Sequence, residues 1–182
     1  MCAIHRLFFI HATADHHPEV IHHHATAAQV PVIKKKNYRN EKLLAAVRTL
    51  PCVNCGVVGT QAAHSNQLEH GKGQSLKASD AAIMALCVQN SCHFNLDNGN
   101  KMSKLERRDF TYEMIAKTLM NLLRNGKLII EGVQRKATDS EIALLLMDNG
   151  CSFSDGQLSY DMFSRALITM VEQGILVVSR EH

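Results

Sequence analysis

A chain of 182 residues accommodates one ordinary domain, or one small domain with appendages. Its 46% hydrophobic and 20% charged residues are globular values that exclude wholesale disorder. No stretch reaches the roughly 18 apolar residues of a membrane span, and a formal charge of +3 is too small to argue for nucleic acid by itself.

The first 33 residues stand apart. They hold seven of the 11 histidines, set among Ala, Thr and Val without helical or strand periodicity. Such a tract reads as a disordered or non-native tail, with metal binding by its histidines as the alternative. The run Leu7–Ile10 is too short for a signal-peptide core and no clean cleavage pattern follows it, so a cytoplasmic protein is expected. In a reducing compartment, cysteine pairs read as metal ligands or redox sites rather than disulfides.

Asn37 is placed to cap a helix over about 38–49, with Leu43, Leu44 and Val47 on one face. Pro51 ends it, and Cys52 and Cys55 follow in PCVNCG. A thioredoxin-like site would need its CxxC to open a helix after a strand. Pro51 before the pair and Gly56 after it describe a tight zinc knuckle instead. The stretch from Gly56 to Gln61 suits a turn between two strands, the second carrying Gln61-Ala62-Ala63-His64. Residues 66–78 read as a flexible basic loop with Lys72 and Lys77. An apolar segment from Asp80 to Leu86 then delivers Cys87, and a helix from Cys92 or His93 to about Asp97 follows.

The two cysteine pairs supply the four soft ligands that a structural Zn2+ prefers. Four residues separate Cys87 from Cys92, where two is usual, and Gln89-Asn90 can bulge outward to absorb the difference. The alternatives are His93 or another nearby side chain in place of one thiol, or no metal. Cys2 and Cys151 have no partner in sequence.

His93 and Asp97 stand four apart, so a helix puts both on one face, where an imidazole and a carboxylate meet one divalent ion. The plainer reading is an Asp97 that only caps or salt-bridges. If the knuckle folds the chain back, His64 faces that helix and can deprotonate a water beside a metal-bound phosphate. A buried structural histidine is the alternative. Asp80 is a further metal or supporting carboxylate candidate. Lys101, Lys104, Arg107 and Arg108 after the second pair, with Lys34, Lys35, Lys36, Arg39 and Lys42 before the first, form a phosphate footprint or else a solvated helix face.

Ser103 and Glu106 have capping-box spacing and open a long helix to about Arg124, with an apolar stripe through Phe110, Met114, Ile115, Thr118, Leu119 and Leu122. Leu128–Ile130 is a brief strand. Residues 133–182 then form a second unit: a helix capped by Thr138 or Asp139, a loop, a helix over about 160–172, and a glycine-turned strand at 175–178. This is a reduced winged-helix-like order, and a packing or dimerisation module reads the same way.

The segment from about Asn37 to Lys127 resembles the YbcO-like phage and prophage nucleases and, more distantly, the nuclease domain of the phage RecA-dependent nuclease Ref. The shared features are the cysteine pair, the Ala63-His64 dipeptide, a G-x-G…K-x-x-D loop and the ending Cys92-His93 through Asp97. The resemblance implies an α+β fold with a zinc-supported HNH core (ββα-metal, treble-clef-like) over 34–132 and metal-dependent cleavage of DNA. It implies that His64 is the general base, that His93 and Asp97 hold the catalytic Mg2+ or Mn2+, and that the four cysteines hold zinc. It departs at Ala63, where many HNH enzymes carry a metal-binding Asp or His, and at the longer spacing before Cys92. The Asn expected before Cys87 has no clear counterpart, unless Asp80 serves. The expected partner is DNA, in recombination or DNA processing inside a bacterial host, with residues 133–182 as a surface for a recombination protein. The rival readings are a zinc-stabilised DNA-binding module without turnover and a protein-interaction factor.

Overall fold

The computed structural model describes residues 36–98, 101–152 and 159–180; the histidine-rich stretch lies outside them. Lys35–His182 forms one compact unit. The described residues form five α-helices and four short strands, the strands in two separate antiparallel pairs, an α+β fold. Among the described residues, no helix is long and apolar enough to cross a membrane.

The first helix, α1, spans Glu41–Arg48. Its cap is Asn40, whose side chain accepts from the Leu43 N–H at 3.1 Å, so the helix begins later than Asn37 predicts. The Asn37 amide instead donates to the carbonyls of Gly71 and Lys77, both at 2.8 Å. This tether needs a glycine at 71, which sits at φ +81 and where a Cβ would collide with the Asn37 amide. Arg39 adds bonds to the carbonyls of Lys77 and Ala78. The loop expected to be flexible is therefore tied to the chain before α1.

Among the described residues no strand precedes Gly56, so the predicted pairing across Gly56–Gln61 is corrected. Strand β1 (Thr60–His64) pairs instead with β2 (Ile83–Cys87), in the register Thr60↔Cys87 to His64↔Ile83. All five residues of β2 are fully buried, which explains its unbroken apolar run. Its outer edge is satisfied without a third strand: the Val53 N–H donates to the Ala85 carbonyl at 3.0 Å, and the Ala85 N–H to Thr118 Oγ1 at 3.0 Å. The cysteine knuckle and the long helix together close this small sheet.

Helix α2 covers Cys92–Asn98 and α3 covers Lys104–Arg124. At Ser103 both bonds of the capping box form: Ser103 Oγ accepts from the Glu106 N–H, and Glu106 accepts from the Ser103 N–H. Most of the α3 stripe is buried in the core, with Phe110 packed at its margin. Strand β3 (Leu128–Ile130) pairs with β4 (Leu176–Val178), enclosing α4 (Asp139–Asp148) and α5 (Tyr160–Glu172). Thr138 and Glu141 form a second capping box at α4. Ile142, Leu146, Phe163, Leu167 and Met170 join Ile115, Leu119 and Leu122 of α3 in one cluster, so the core runs unbroken across residue 132.

Candidate metal centre and catalytic groups

The Cys52–Cys55 knuckle is a backbone turn: the Cys52 N–H reaches the Val57 carbonyl and the Gly56 N–H the Cys52 carbonyl, both at 2.8 Å. Cys87 ends β2 and Cys92 opens α2. Between them Val88–Ser91 turns back through a Ser91 N–H to Val88 carbonyl bond of 2.9 Å, leaving Gln89 and Asn90 exposed. The four Sγ atoms lie within 4.8 Å of one another. Tetrahedral zinc with Zn–S bonds near 2.3 Å needs sulfurs about 3.8 Å apart, so small adjustments close the site.

The surroundings suit thiolates. Asn54 Nδ2 donates to Cys92 Sγ at 3.2 Å and Asn90 Nδ2 to Cys55 Sγ at 3.4 Å, the outer hydrogen bonds that steady metal-bound sulfur. A backbone hydrogen bond at Val57 brings exposed Cys55 down to about 6, whereas burial pushes the Cys92 thiol up to about 12. A bound Zn2+ deprotonates such thiols outright. Cys52, Cys55, Cys87 and Cys92 thus fit a structural metal in number, spacing and chemistry. Among the described residues this is the one group of three or more His, Cys, Asp or Glu with that convergence.

His64 was expected to face α2. It stands instead on the opposite face of β1, because side chains alternate along a strand. Thr60, on the same face as His64, bonds the Leu50 carbonyl just after α1 at 2.8 Å. Gln61, on the other face, meets His93 of α2. The partner of His64 is Asp80: Nε2 and Oδ1 are 2.8 Å apart, with the imidazole side chain 20% exposed and the carboxylate 3%.

Of the two readings of Asp80, its contacts match the supporting carboxylate, here beside His64. Its Oδ1 also receives Arg39 at 3.0 Å, and its Oδ2 receives the Asn40 N–H at 2.8 Å. Burial opposes its ionisation, but the bonds from His64, Asn40 and Arg39 outweigh that penalty and hold the carboxyl below its ordinary value. In the neutral imidazole, an Nε2–H donated to the ionised Asp80 leaves the lone pair on Nδ1 of His64.

His93 and Asp97 come together on α2 as their spacing predicts, Nε2 to Oδ2 at 3.3 Å and part-exposed. His93 Nδ1 lies 3.1 Å from Gln61 Oε1, and Asn66 Nδ2 donates to Asp97 Oδ1 at 2.6 Å. The pair offers one imidazole and one carboxylate, fewer donors than a closed metal site requires. Ala63, fully buried, occupies the Gln61 face of β1 and offers the pair no third ligand.

His70 ends a short 3-10 turn, Leu68–His70, and is buried. Its Nδ1 lies 2.7 Å from Ser65 Oγ, its ring packs edge-on to Tyr112, and burial lowers its pKa. Among the basic candidates, Lys77, Lys101 and Lys104 are exposed and Lys72 is half-buried. Arg107 lies 3.5 Å from the Met102 carbonyl. Arg108 is also engaged within the fold: it lies 3.7 Å from Glu69 and 3.5 Å from Asp161, over the Tyr112 ring, with its side chain 40% exposed.

Asn54, Asn90, Gln61, Asn66, Arg39 and Asn40 were not singled out as supports for the site by sequence reasoning. Strand alternation flags Gln61, two residues before Ala63; nothing local flags the others. Comparison with protein-family models, curated proteins and solved structures finds no match for this chain.

Proposed function

We propose that the chain is a metal-dependent, HNH-type endonuclease of phage or prophage type that hydrolyses DNA phosphodiester bonds. The observation that carries this reading is the pair of pre-arranged groups at the end of one β-β-α unit. A histidine held by a buried carboxylate ends β1, and a histidine–carboxylate pair lies on α2 just beyond the cysteine cluster. The scissile phosphate would lie across the end of β1, where the chain turns from His64 to Asn66.

His64 Nδ1 would take the proton of the attacking water, and Asp80 would hold the ring and stabilise the imidazolium. A Mg2+ or Mn2+ at His93 and Asp97 would neutralise charge building on the phosphate and the leaving oxygen. Lys72, Lys77, Lys101 and Lys104 would hold the backbone of the nucleic acid.

A second reading, a DNA-binding module without turnover, rests on Ala63. Cleavage of labelled single-stranded and duplex DNA with Mg2+, Mn2+ or EDTA separates the two. The nuclease predicts metal-dependent cutting that falls at least 100-fold in both His64→Ala and His93→Ala. Wild-type protein that binds DNA and never cuts it would establish the inactive module.

A further inference from the structure

We infer that Gln61 and Asn66 are positioning residues that pre-set His93 and Asp97 to receive a hard divalent cation; this rests on the ion site in the proposed nuclease reading. Each donor of the α2 pair has two heteroatoms, and in each case β1 or its exit occupies the one turned away from the other donor. Gln61 Oε1 lies 3.1 Å from His93 Nδ1. A carbonyl oxygen can only accept, so it favours a proton on Nδ1; in the neutral ring that leaves the lone pair on Nε2, in competition with Asp97, which favours a proton there. Asn66 Nδ2 donates to Asp97 Oδ1 at 2.6 Å, leaving Oδ2 as the free oxygen.

The two atoms left over are those that face each other, Nε2 and Oδ2, at 3.3 Å. Two ligands at neighbouring corners of an octahedral ion with bonds of about 2.1 Å are about 3 Å apart, so the cation enters with little rearrangement. The pair makes an ordinary ion pair when His93 is protonated, since imidazolium also donates from both nitrogens. The bond from Asn66 to Oδ1 adds what an isolated ion pair does not need, an orientation for the carboxylate. Gln61 lies on β1 and Asn66 two residues past its end, so a single stretch of chain grips both donors of a helix that is remote in sequence. Groups that orient metal ligands in this way change metal affinity about 10- to 100-fold when removed.

The test uses full-length, zinc-loaded protein and Mn2+ as the probe, with affinity read by electron paramagnetic resonance. The His93 tautomer is read from long-range 1H–15N correlation spectra. His93→Ala measures Mn2+ bound by the other histidines and is subtracted. Gln61→Ala and Asn66→Ala should each weaken Mn2+ binding about 10- to 100-fold at unchanged zinc content. Gln61→Ala alone should shift the apo-state His93 away from the Nδ1–H tautomer. Gln61→Glu, which retains an acceptor opposite Nδ1, should restore that tautomer and most of the affinity.

A purely structural role lowers stability without moving tautomer or affinity, and that result overturns the proposal. If His93→Ala binds Mn2+ as wild type does, or if wild type binds none, the ion site itself is wrong and the inference goes with it. Wild-type protein that binds Mn2+, and whose variants show these shifts, but that never cuts DNA would count against the nuclease chemistry and leave the positioning role standing.

Discussion

The cysteine cluster and the histidine–carboxylate groups draw on the same three elements, β1, β2 and α2 with their flanking turns, yet they are built in opposite ways. The cysteines are set by backbone turns, three of the four are buried, and all four sulfurs converge within 4.8 Å. His64 and His93 are set by side-chain contacts, stay part-exposed, and are associated with opposite faces of β1. A closed four-ligand site contributes to folding, whereas a reactive site must leave room for substrate and solvent. Along β1, the start lies beside the cysteine cluster and the end carries His64, the base of the proposed nuclease.

The largest effect should come from breaking the cluster. Cys87→Ala, or a strong chelator acting on wild type, removes a folding contribution on the order of 10 kcal/mol in comparable small zinc sites. Thermal unfolding followed by circular dichroism should show the β1–β2–α2 region lost or its transition shifted far down. An unchanged transition would mean that the four thiols hold no structural metal.

Breaking the other half at Asp80 should leave the fold but cost function. Asp80→Asn keeps shape and loses charge, so about 2 kcal/mol of stability should disappear, with a fall in DNA cleavage of at least 100-fold. The pH dependence has a defined sign. The Asp80 carboxyl sits below its ordinary 3.8 in the folded chain, so its contribution is complete above that value and is lost as pH falls through the lower, folded value. Denaturant unfolding at a series of acidic pH values should show this loss in wild type and a flatter profile in Asp80→Asn. Parallel profiles would remove Asp80 as a charged support for His64.

The smallest effect sharpens the comparison by touching neither half. Ser103→Ala removes one bond of the α3 capping box and should lower stability by about 1 kcal/mol, with zinc content and cleavage unchanged. A change in either would show that α3 is coupled to the site more directly than its packing against β2 suggests.

Much of the local structure was legible before folding. The α3 capping box, the start of α4 at Thr138 or Asp139, the apolar stripe of α3, the knuckle after Pro51 and the His93–Asp97 pairing all follow from spacings within a few residues. The misreadings were of another kind. Asn37 looked like a helix cap and instead ties down a loop more than thirty residues away. Both Asn37 and Asn40 are sound caps locally, and only the position of Gly71 and Lys77 decides between them. Nothing near Arg108 in sequence announces Glu69, Asp161 and Tyr112, which the fold brings around it.

The sequence by itself determined the ligand chemistry and the local elements, because cysteine spacing, capping and hydrophobic period act over one or two turns of chain. Only the tertiary structure decided that β1 pairs with β2 rather than with the knuckle, which turned His64 toward Asp80 and Gln61 toward His93. Strand alternation assigns residues to opposite faces, but which face meets which helix depends on contacts between residues far apart in the chain.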